Sequence, residues 1–338
     1  MNAAAKPFDG QHKYIRITDI DESSAAYIDK DVVSPDGELQ DSYLVKANDI
    51  LLARTGASTG KSYLYDNKDG ILYFAGFLIR VNIPSDNAYF VFSQLHLSRY
   101  RKWIGIMSAR SGQPGVNSQE YSNYPIYLPK IEEQTKIAKL LKLVDERIAT
   151  QNKIIEKLQS LIKGLIVALT TKGKPNIAIS QCLECHSSTL QESEVLPNGL
   201  YKVFGANGLI GYTNMAQMNG DAILIIKDGS GVGTVSYAQG RFSVIGTLNY
   251  LTSKGNHDLR YLYFALSAFN FQLYKTGMAI PHIYFKDYGN AKIYCPVLAE
   301  QKRVANVLGK LESKLFAEKK LRASFNLQKQ YLLEQMFI

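Results

Sequence analysis

The sequence predicts an α/β (α+β) protein in which two globular domains with mixed sheets are separated by two long antiparallel coiled-coil helices. Three observations lead to this prediction. Two stretches carry apolar residues at alternating spacings of four and three, which is typical of long helices that pack along a seam. Outside these stretches, short apolar runs lead into glycine-rich turns, as strands do. The order of globular part followed by helix occurs twice, so we expect an internal pseudo-twofold repeat.

The globular parts occupy residues 1–129 and 173–298, and the long helices occupy residues 130–172 and 299–338. Within the globular parts, runs rich in β-branched and aromatic residues predict strands, and longer runs without glycine or proline predict helices. The strand candidates are Tyr14–Ile17, Asp49–Ala53, Tyr73–Val81, Ala222–Ile226, Ser243–Ile245 and Asn249–Leu251, and the helix candidates are Ala88–Arg101 and Leu259–Tyr274.

The first long helix is predicted from ten positions between Ile137 and Leu169, nine of which are apolar, and Gly173 and Pro175 end it. In the second helix, seven of ten equivalent positions between Val304 and Met336 are apolar. We expect the two apolar stripes to form one helix–helix seam. The seam residues are Ile137, Leu141, Val144, Ile148, Leu158 and Leu165 in the first helix, and Val304, Leu308, Leu311, Leu315, Phe325 and Leu332 in the second.

The chain repeats itself at an offset of 167 residues. Glu133-Gln134 falls on Glu300-Gln301, and Tyr127-Leu-Pro falls on Tyr294-Cys-Pro. Further upstream, the segment Asn48–Gly60 resembles Gly220–Gly233, and each is a buried strand pattern that runs into a glycine-rich turn. A period of this length is too long for a solenoid and indicates a duplicated unit of domain plus helix.

The charge is concentrated on the helices. The chain carries 39 Lys and Arg against 30 Asp and Glu, a net charge of +9, but residues 1–129 and 175–298 have net charges of only −1 and +1. A hydrophobic content of 46% excludes wholesale disorder, and no apolar run approaches the ~20 residues of a membrane helix. Without a signal-peptide pattern at the N-terminus, we expect a cytoplasmic protein, and three cysteines argue against a disulfide framework.

The helix region resembles a known family. The stretch Tyr127-Leu-Pro-Lys-Ile-Glu-Glu-Gln-Thr-Lys-Ile-Ala-Lys-Leu-Leu, with Asp145 and Ile148, resembles the central conserved region of type I restriction–modification specificity subunits. Ala299-Glu-Gln-Lys-Arg-Val-Ala-Asn-Val-Leu resembles the distal conserved region, and the segments Asp49–Lys61 and Ser111–Asn117 resemble what precedes these helices in the family. The resemblance covers essentially the whole chain.

The resemblance implies a non-catalytic reader of double-stranded DNA. The two globular parts would be target-recognition domains, each reading one half of a bipartite, asymmetric site, with the helices as a ruler between them. Two methyltransferase subunits would dock on the helices and bring S-adenosylmethionine, and the resemblance leaves open whether motor–nuclease (restriction) subunits, with ATP and Mg²⁺, join them. It implies no cofactor, metal or catalytic residue in this chain.

Reading a duplex requires Arg, Lys, Asn, Gln and Ser on protruding loops. Residues 87–119 and 259–286 contain no acidic residue and supply such side chains, and the two glycine-rich turns supply more. The predicted DNA-binding residues are Arg54, Ser58, Lys61, Arg99, Arg101, Lys102, Arg110, Ser111, Gln113 and Asn117 in the first domain, and Lys227, Ser230, Lys275, His282 and Lys286 in the second. Two alternatives stay open: the cations at 99–102 as a solvated helix face, and the glycine turns as simple hairpin closures.

The first domain is expected to be short, because 13 residues precede Tyr14 whereas 29 residues, Lys172–Leu200, precede Tyr201 in the second repeat. An inactive family member is therefore one alternative, and a coiled-coil scaffold with protein- or glycan-binding lobes is another. A third is a nucleotide-using enzyme, since Gly56–Ser62 resembles a phosphate loop with one residue too few between its glycines. Cys182-Leu-Glu-Cys185-His186 matches a haem-attachment pattern, but we interpret it as ordinary thiols.

Overall fold

The structure is a computed structural model that describes residues 1, 3–22, 24–109 and 113–337. The chain forms two compact units. The first unit combines Met1–Gln151 with Leu321–Ile338, and the second contains Asn152–Lys320. Each unit therefore holds one globular part together with portions of both long helices.

The first unit contains short strands around a buried central strand. They are β1 (Ala4–Pro7), β2 (Lys13–Ile15), β3 (Val33–Asp36), β4 (Asp49–Ala53), β5 (Ser62–Leu64), β6 (Leu72–Phe74) and β7 (Leu78–Asn82). Every residue of β4 is buried, and β4 pairs antiparallel with both β5 and β7. The strand β2 pairs in parallel with β6, and β1 pairs antiparallel with β3.

Two elements of this unit differ from the sequence prediction. The run Tyr73–Val81 is two strands, because β6 pairs with β2 whereas β7 pairs with β4. The run Ala88–Arg101 is two helices, α1 (Ala88–Gln94) and α2 (Ser98–Met107). The backbone turns at buried Leu97, and the carboxylate of Glu334 accepts hydrogen bonds from the backbone N–H (3.0 Å) and hydroxyl (3.1 Å) of Ser98. A side chain 236 residues away thus satisfies the start of α2.

The short helix α3 (Ser118–Ser122) is followed by the long helix α4 (Ile131–Thr170), which contributes to both units. Acidic Glu132 and Glu133 lie in its first turn, where they favour the helix dipole. The predicted seam positions of α4 are buried or half-buried, and most of the side chains between them face solvent, although Ala138, Gln151, Ile155 and Ile162 are buried as well.

The second unit has a similar sheet core with additional strands. Its strands are β8 (Ile177–Ala178), β9 (Leu183–Ser187), β10 (Tyr201–Gly205), β11 (Gly208–Thr213), β12 (Met218–Asn219), β13 (Ala222–Ile226), β14 (Val235–Ala238), β15 (Arg241–Val244), β16 (Leu248–Ser253) and β17 (Lys292–Ile293). Its short helices are α5 (Ile179–Cys182), α6 (Leu259–Ser267) and α7 (Phe285–Tyr288). The helix predicted over Leu259–Tyr274 ends earlier, and Phe271–Tyr274 is a separate 3₁₀ turn that Asn270 caps.

The last helix, α8 (Leu298–Met336), begins in the second unit and ends in the first. Its predicted seam residues are buried or half-buried, although Arg322, at the same spacing, is exposed. In the first unit, Ala138 and Leu141 share a core cluster with Leu333 and Phe337. Asp145, which follows Leu141 in α4, forms an ion pair with Lys329, which precedes Leu333 in α8, at 2.6 Å. The two helices therefore run antiparallel here. In the second unit, Leu165 packs against a cluster that contains Val304 and Leu308.

The topology repeats between the units. In each, a fully buried five-residue strand (β4 or β13) is flanked by two antiparallel neighbours, and a parallel pair (β2 with β6, or β10 with β15) lies in a separate sheet. The sequence prediction of β4 and β13 is confirmed residue for residue. The repeat therefore extends from the helices into the globular parts.

Candidate nucleic-acid interface

In the first unit, strand β4 ends in a closed glycine turn. After Ala53, Gly56–Ser58 form a 3₁₀ turn, and the backbone N–H of Gly60 returns to the carbonyl of Ala53 at 3.0 Å. Gly56 and Gly60 have φ angles of +69° and +90°, which favour glycine. The turn leads into strand β5 and not into a helix, which contradicts the phosphate-loop interpretation of Gly56–Ser62.

A second loop, distant in sequence, is fixed against this turn. The backbone N–H of Gly56 donates to the carbonyl of Pro114 at 2.8 Å, and the N–H of Val116 donates to the carbonyl of Arg54 at 2.9 Å. The amide group of Gln113 lies so close to Gly56 that a Cβ there would be 3.1 Å from its nitrogen. The turn and the loop thus form one rigid surface, called here the first turn–loop face.

Two buried tyrosines stabilise this face through hydrogen bonds to its backbone. The hydroxyl of Tyr121 donates to the carbonyl of Ala53 at 2.7 Å, and the hydroxyl of Tyr100 donates to the carbonyl of Gly60 at 3.1 Å. Burial raises the pKa of Tyr121 to about 12 and raises that of Tyr100 further. Both hydroxyls therefore stay protonated and donate. The predicted DNA-binding residues do not include these two tyrosines, because each bonds to a carbonyl 40 or 68 residues away and no local pattern connects the two ends.

The second unit builds the same surface from equivalent residues. The N–H of Gly233 returns to the carbonyl of Ile226 at 2.9 Å, and the N–H of Gly229 donates to the carbonyl of Pro281 at 2.9 Å. The N–H of Ile283 donates to the carbonyl of Lys227 at 2.9 Å, as Val116 does to Arg54. Pro114 and Pro281 are 167 residues apart, which is the repeat offset. We call this surface the second turn–loop face.

The predicted residues of the first domain fall into two groups. Arg54 and Gln113 are exposed on the first turn–loop face, and Ser58 is half-buried in its turn. Lys61 lies in an adjoining cleft with Arg101, and its ammonium is 3.9 Å from the carboxylate of Glu22. The prediction also named Arg110 and Ser111, which lie outside the described residues.

The other predicted side chains of this domain are engaged within the unit. The side-chain oxygen of Asn117 accepts from the N–H of Glu120 at 2.9 Å and caps α3. Arg99 donates to the amide oxygen of Gln94 at 2.8 Å, and Arg101 donates to the carbonyl of His96 at 3.0 Å. Lys102 is exposed on α2. Asn117, Arg99 and Arg101 thus have structural contacts that the sequence pattern did not indicate.

In the second unit, Ser230 is exposed in the glycine turn and Lys227 is half-buried beside it. The backbone of His282 forms an isolated β-bridge with Asp228 of the turn, and its ring packs edge-on against Tyr284, with ring centroids 5.0 Å apart. Lys275 is half-buried, and the exposed ammonium of Lys286 lies 5.2 Å from the centroid of the Tyr284 ring. The turn that carries Lys227 and Ser230 is therefore hydrogen-bonded to the loop that carries His282.

Within the part of the chain that the structure describes, no three His, Cys, Asp or Glu side chains are grouped so that they could hold a metal ion. The three cysteines are free thiols, and burial raises the pKa of Cys182 to about 12 and that of Cys185 to about 11. His186 is stacked on Tyr250 and bonded to the hydroxyl of Thr252 at 2.9 Å. A search of the described residues for a helix that could span a membrane finds none.

The fold defines a two-domain protein in which one turn–loop frame, joined to a long helix, is built twice. The chain belongs to the family of the type I restriction modification DNA specificity domain, whose model matches residues 1–160 and 183–324. The resemblance inferred from Tyr127–Leu141 and Ala299–Leu308 is thereby confirmed.

Individual relatives agree with this family. Over 133 residues, 38% of this chain, the sequence is 35% identical to the type I restriction enzyme MjaVIII specificity subunit of Methanocaldococcus jannaschii, and the match covers 30% of that subunit. A putative MjaX specificity subunit of the same organism is 32% identical over 137 residues, 39% of this chain and 32% of the relative. The matched part thus spans about a third of these curated relatives. The crystal structure of a type I S subunit from M. genitalium has a TM-score of 0.68 at 18% identity, covering 99% of this chain and 90% of that one, which shows the shared fold.

Proposed function

We propose that this chain is the DNA sequence-specificity subunit of a type I restriction–modification enzyme. Each turn–loop face binds one half of a bipartite, asymmetric site in double-stranded DNA. The chain itself catalyses no reaction, and its setting is the cytoplasm, where chromosomal DNA is accessible to it. Family membership supports this function over the alternative of a coiled-coil scaffold with protein- or glycan-binding lobes.

One observation carries the proposal: the backbone frame of the two faces is the same, whereas the side chains on it differ. Both frames use a glycine turn bonded to the carbonyl of a proline, Pro114 or Pro281. The first frame presents Arg54 and Gln113, and the second presents Lys227 and Ser230. Because base edges are distinguished by donors, acceptors and methyl groups, two frames with different side chains suit two different half-sites.

The long helices supply the surface for partner subunits. Apolar side chains outside the seam remain exposed on α4 and α8, and residues 130–174 and 299–338 carry the whole excess of positive charge. These exposed side chains are Leu140, Leu143, Ile154, Leu161 and Val167 on α4, and Val307, Phe316, Leu321, Leu327 and Tyr331 on α8. We infer that two methyltransferase subunits, which carry S-adenosylmethionine, dock there, and that restriction subunits bring ATP and Mg²⁺.

The experiment that tests the function maps methylated adenine in cells. The full chain is expressed with its methyltransferase subunit, and control cells lack the chain. We expect methylation of one split motif only when the chain is present. Two specified half-sites would show that both faces read DNA, whereas one half-site would leave the first domain without a reading role. Absence of any motif, despite co-purification of the two subunits, would contradict sequence recognition by this chain.

Single substitutions assign each face to its half-site. Gln113→Ala is expected to relax the sequence of one half-site and leave the other unchanged, and Ser230→Ala is expected to do the reverse. The matched control is Gln119→Ala, at a glutamine exposed in α3 of the same unit as Gln113, and it should change neither half-site sequence. If Gln113→Ala altered both half-sites equally, independent reading by the two faces would be wrong.

A further inference from the structure

The loop of the second turn–loop face ends in a small hairpin. The N–H of Thr276 donates to the carbonyl of His282 at 2.9 Å, and the N–H of His282 donates to the carbonyl of Thr276 at 2.8 Å. Gly277 has a φ of +87°, and a Cβ there would be 2.4 Å from the carbonyl oxygen of Ile280. The tip, residues 277–281, is therefore held in one conformation by its own backbone.

This tip is apolar and exposed. Met278 is fully exposed, at 106% relative accessibility, and Ile280 is 67% exposed. Apolar surface exposed to water is unfavourable, so two such side chains on a hairpin of fixed conformation favour a partner that covers them.

Position and charge identify that partner. The hairpin lies against the glycine turn through the bond between Gly229 and Pro281, with Lys275 just before it and Lys286 just after it. No acidic residue occurs between Leu259 and Lys286. The nearest acidic residues are Asp228 of the turn, whose backbone forms an isolated β-bridge with that of His282, and Asp287, which follows Lys286. Cations on either side of an apolar tip suit a nucleic-acid duplex, whose phosphates flank the base edges in the groove.

The corresponding tip in the first repeat has a different chemistry. Between the equivalent glycine, Gly112, and Pro114 stands the single polar residue Gln113, where the second repeat has Met278-Ala279-Ile280. An amide recognises base donors and acceptors, whereas an apolar side chain on a base edge has one specific target in the major groove, the 5-methyl group of thymine.

We propose that Met278 and Ile280 form an apolar tip that recognises a thymine 5-methyl group in the half-site read by the second domain. This inference rests on the proposed function and specifies the chemistry of one of its two faces. It predicts at least one A·T pair in that half-site whose methyl group contributes to binding.

The test uses the full chain with its methyltransferase subunit and duplexes that carry the mapped motif. Each thymine of the half-site is replaced in turn by deoxyuridine, which removes only the methyl group. With the wild-type chain, we expect one or two positions to weaken binding about fourfold each, the effect of one buried methyl group. Met278→Ala and Ile280→Ala should weaken binding to the thymine duplex and abolish the difference between thymine and uridine. Met215→Ala, at a methionine 82% exposed elsewhere in the second unit, is the control and should preserve it.

Other results overturn the inference. A half-site without thymine, or equal uridine sensitivity in the wild type and the tip variants, would show that the tip does not read methyl groups. Weaker binding by the variants without any uridine effect, together with loss of DNA unstacking reported by 2-aminopurine, would identify a wedge between base steps instead. Failure of the proposed function is distinguishable, because the wild-type chain would then show no preference for the motif over unrelated duplex.

Discussion

The side-chain oxygen of Gln134 accepts a hydrogen bond from the backbone N–H of Asn87 at 3.0 Å. Asn87 in turn caps α1, because its side chain accepts from the N–H of Phe90 at 3.0 Å. In the second unit, Gln301 accepts from the N–H of Asp258 at 2.9 Å, and Asp258 caps α6 in the same way. The glutamine of each long helix thus fixes the N-cap residue of the shorter helix beside it, α1 or α6.

The first prediction concerns this glutamine. Gln134→Ala leaves the N–H of half-buried Asn87 and the carbonyl of Pro129, 2.9 Å from the Gln134 amide nitrogen, without their partner. The loss should lower the free energy of unfolding by about 1–3 kcal/mol. Urea unfolding measures this loss of stability. The control is Gln159→Ala, at a glutamine exposed on the same helix, which should change the free energy of unfolding by less than about 0.5 kcal/mol. Equal stability of the two variants would contradict a bracing role for Gln134.

The repeat shows how far the sequence alone could lead. The five-residue strands β4 and β13 were predictable because every side chain in them is buried, and the seam because its spacing matches helical geometry. The break between α1 and α2 was not predictable from the sequence, because the cap of α2 comes from Glu334, which no local pattern connects to Ser98. Asn117, which the sequence predicts to bind DNA, also caps α3, and the cap was not predictable because an N-cap and a base-reading asparagine look alike without their partners.

The second prediction tests the glycine turn. Gly233 has a φ of +87°, and a Cβ there would be 2.7 Å from the Cβ of Phe271. Gly240, in the same unit, has a φ of +81° with open space around the Cβ position. Alanine at Gly240 should therefore cost only the backbone strain of about 1–2 kcal/mol, and alanine at Gly233 should cost clearly more. Unfolding curves of the two variants measure the difference, and a smaller loss at Gly233 would mean that Phe271 moves freely.

The third prediction concerns pH. Burial and the nearby Lys329 ammonium lower the pKa of His96 to about 4, and its Nδ1 lies 3.0 Å from the carbonyl of Phe92. In the unfolded chain the pKa returns to about 6.5, so unfolding takes up a proton between these two values. The contribution of neutral His96 to stability is complete above pH 6.5 and is lost as the pH falls toward 4.

His96→Gln removes this titration while keeping a donor. Between pH 7 and pH 5, the wild type should lose about 1–2 kcal/mol more stability than the variant. Urea unfolding at both pH values measures the loss of stability in each protein. Subtracting the loss in the variant from that in the wild type cancels the effect of all other titrating groups. Parallel pH profiles would show that the environment of His96 tolerates its charge.

The fourth prediction separates a structural cation from a DNA-binding one. Arg260 belongs to the acid-free segment of the second domain, but its guanidinium lies 4.3 Å from the ring centroid of Tyr237 and 4.9 Å from that of Tyr263, and it pairs with Glu312. Arg260→Lys keeps the charge and loses the planar group that stacks and bonds, so we expect a loss of about 1–2 kcal/mol. Arg241→Lys, whose guanidinium lies 5.8 Å from one ring, Tyr201, should cost less.

DNA binding decides the role of Arg260. A cation that contacts a phosphate contributes about 0.9 to the slope of log K against log salt concentration. Because Arg260 is directed at Glu312 and the rings around it, truncation in Arg260→Met should leave this slope unchanged at a temperature where the variant is folded. Lys286→Met, exposed beside the second turn–loop face, should reduce the slope by about one. A reduced slope for Arg260→Met would instead place this residue among the phosphate contacts.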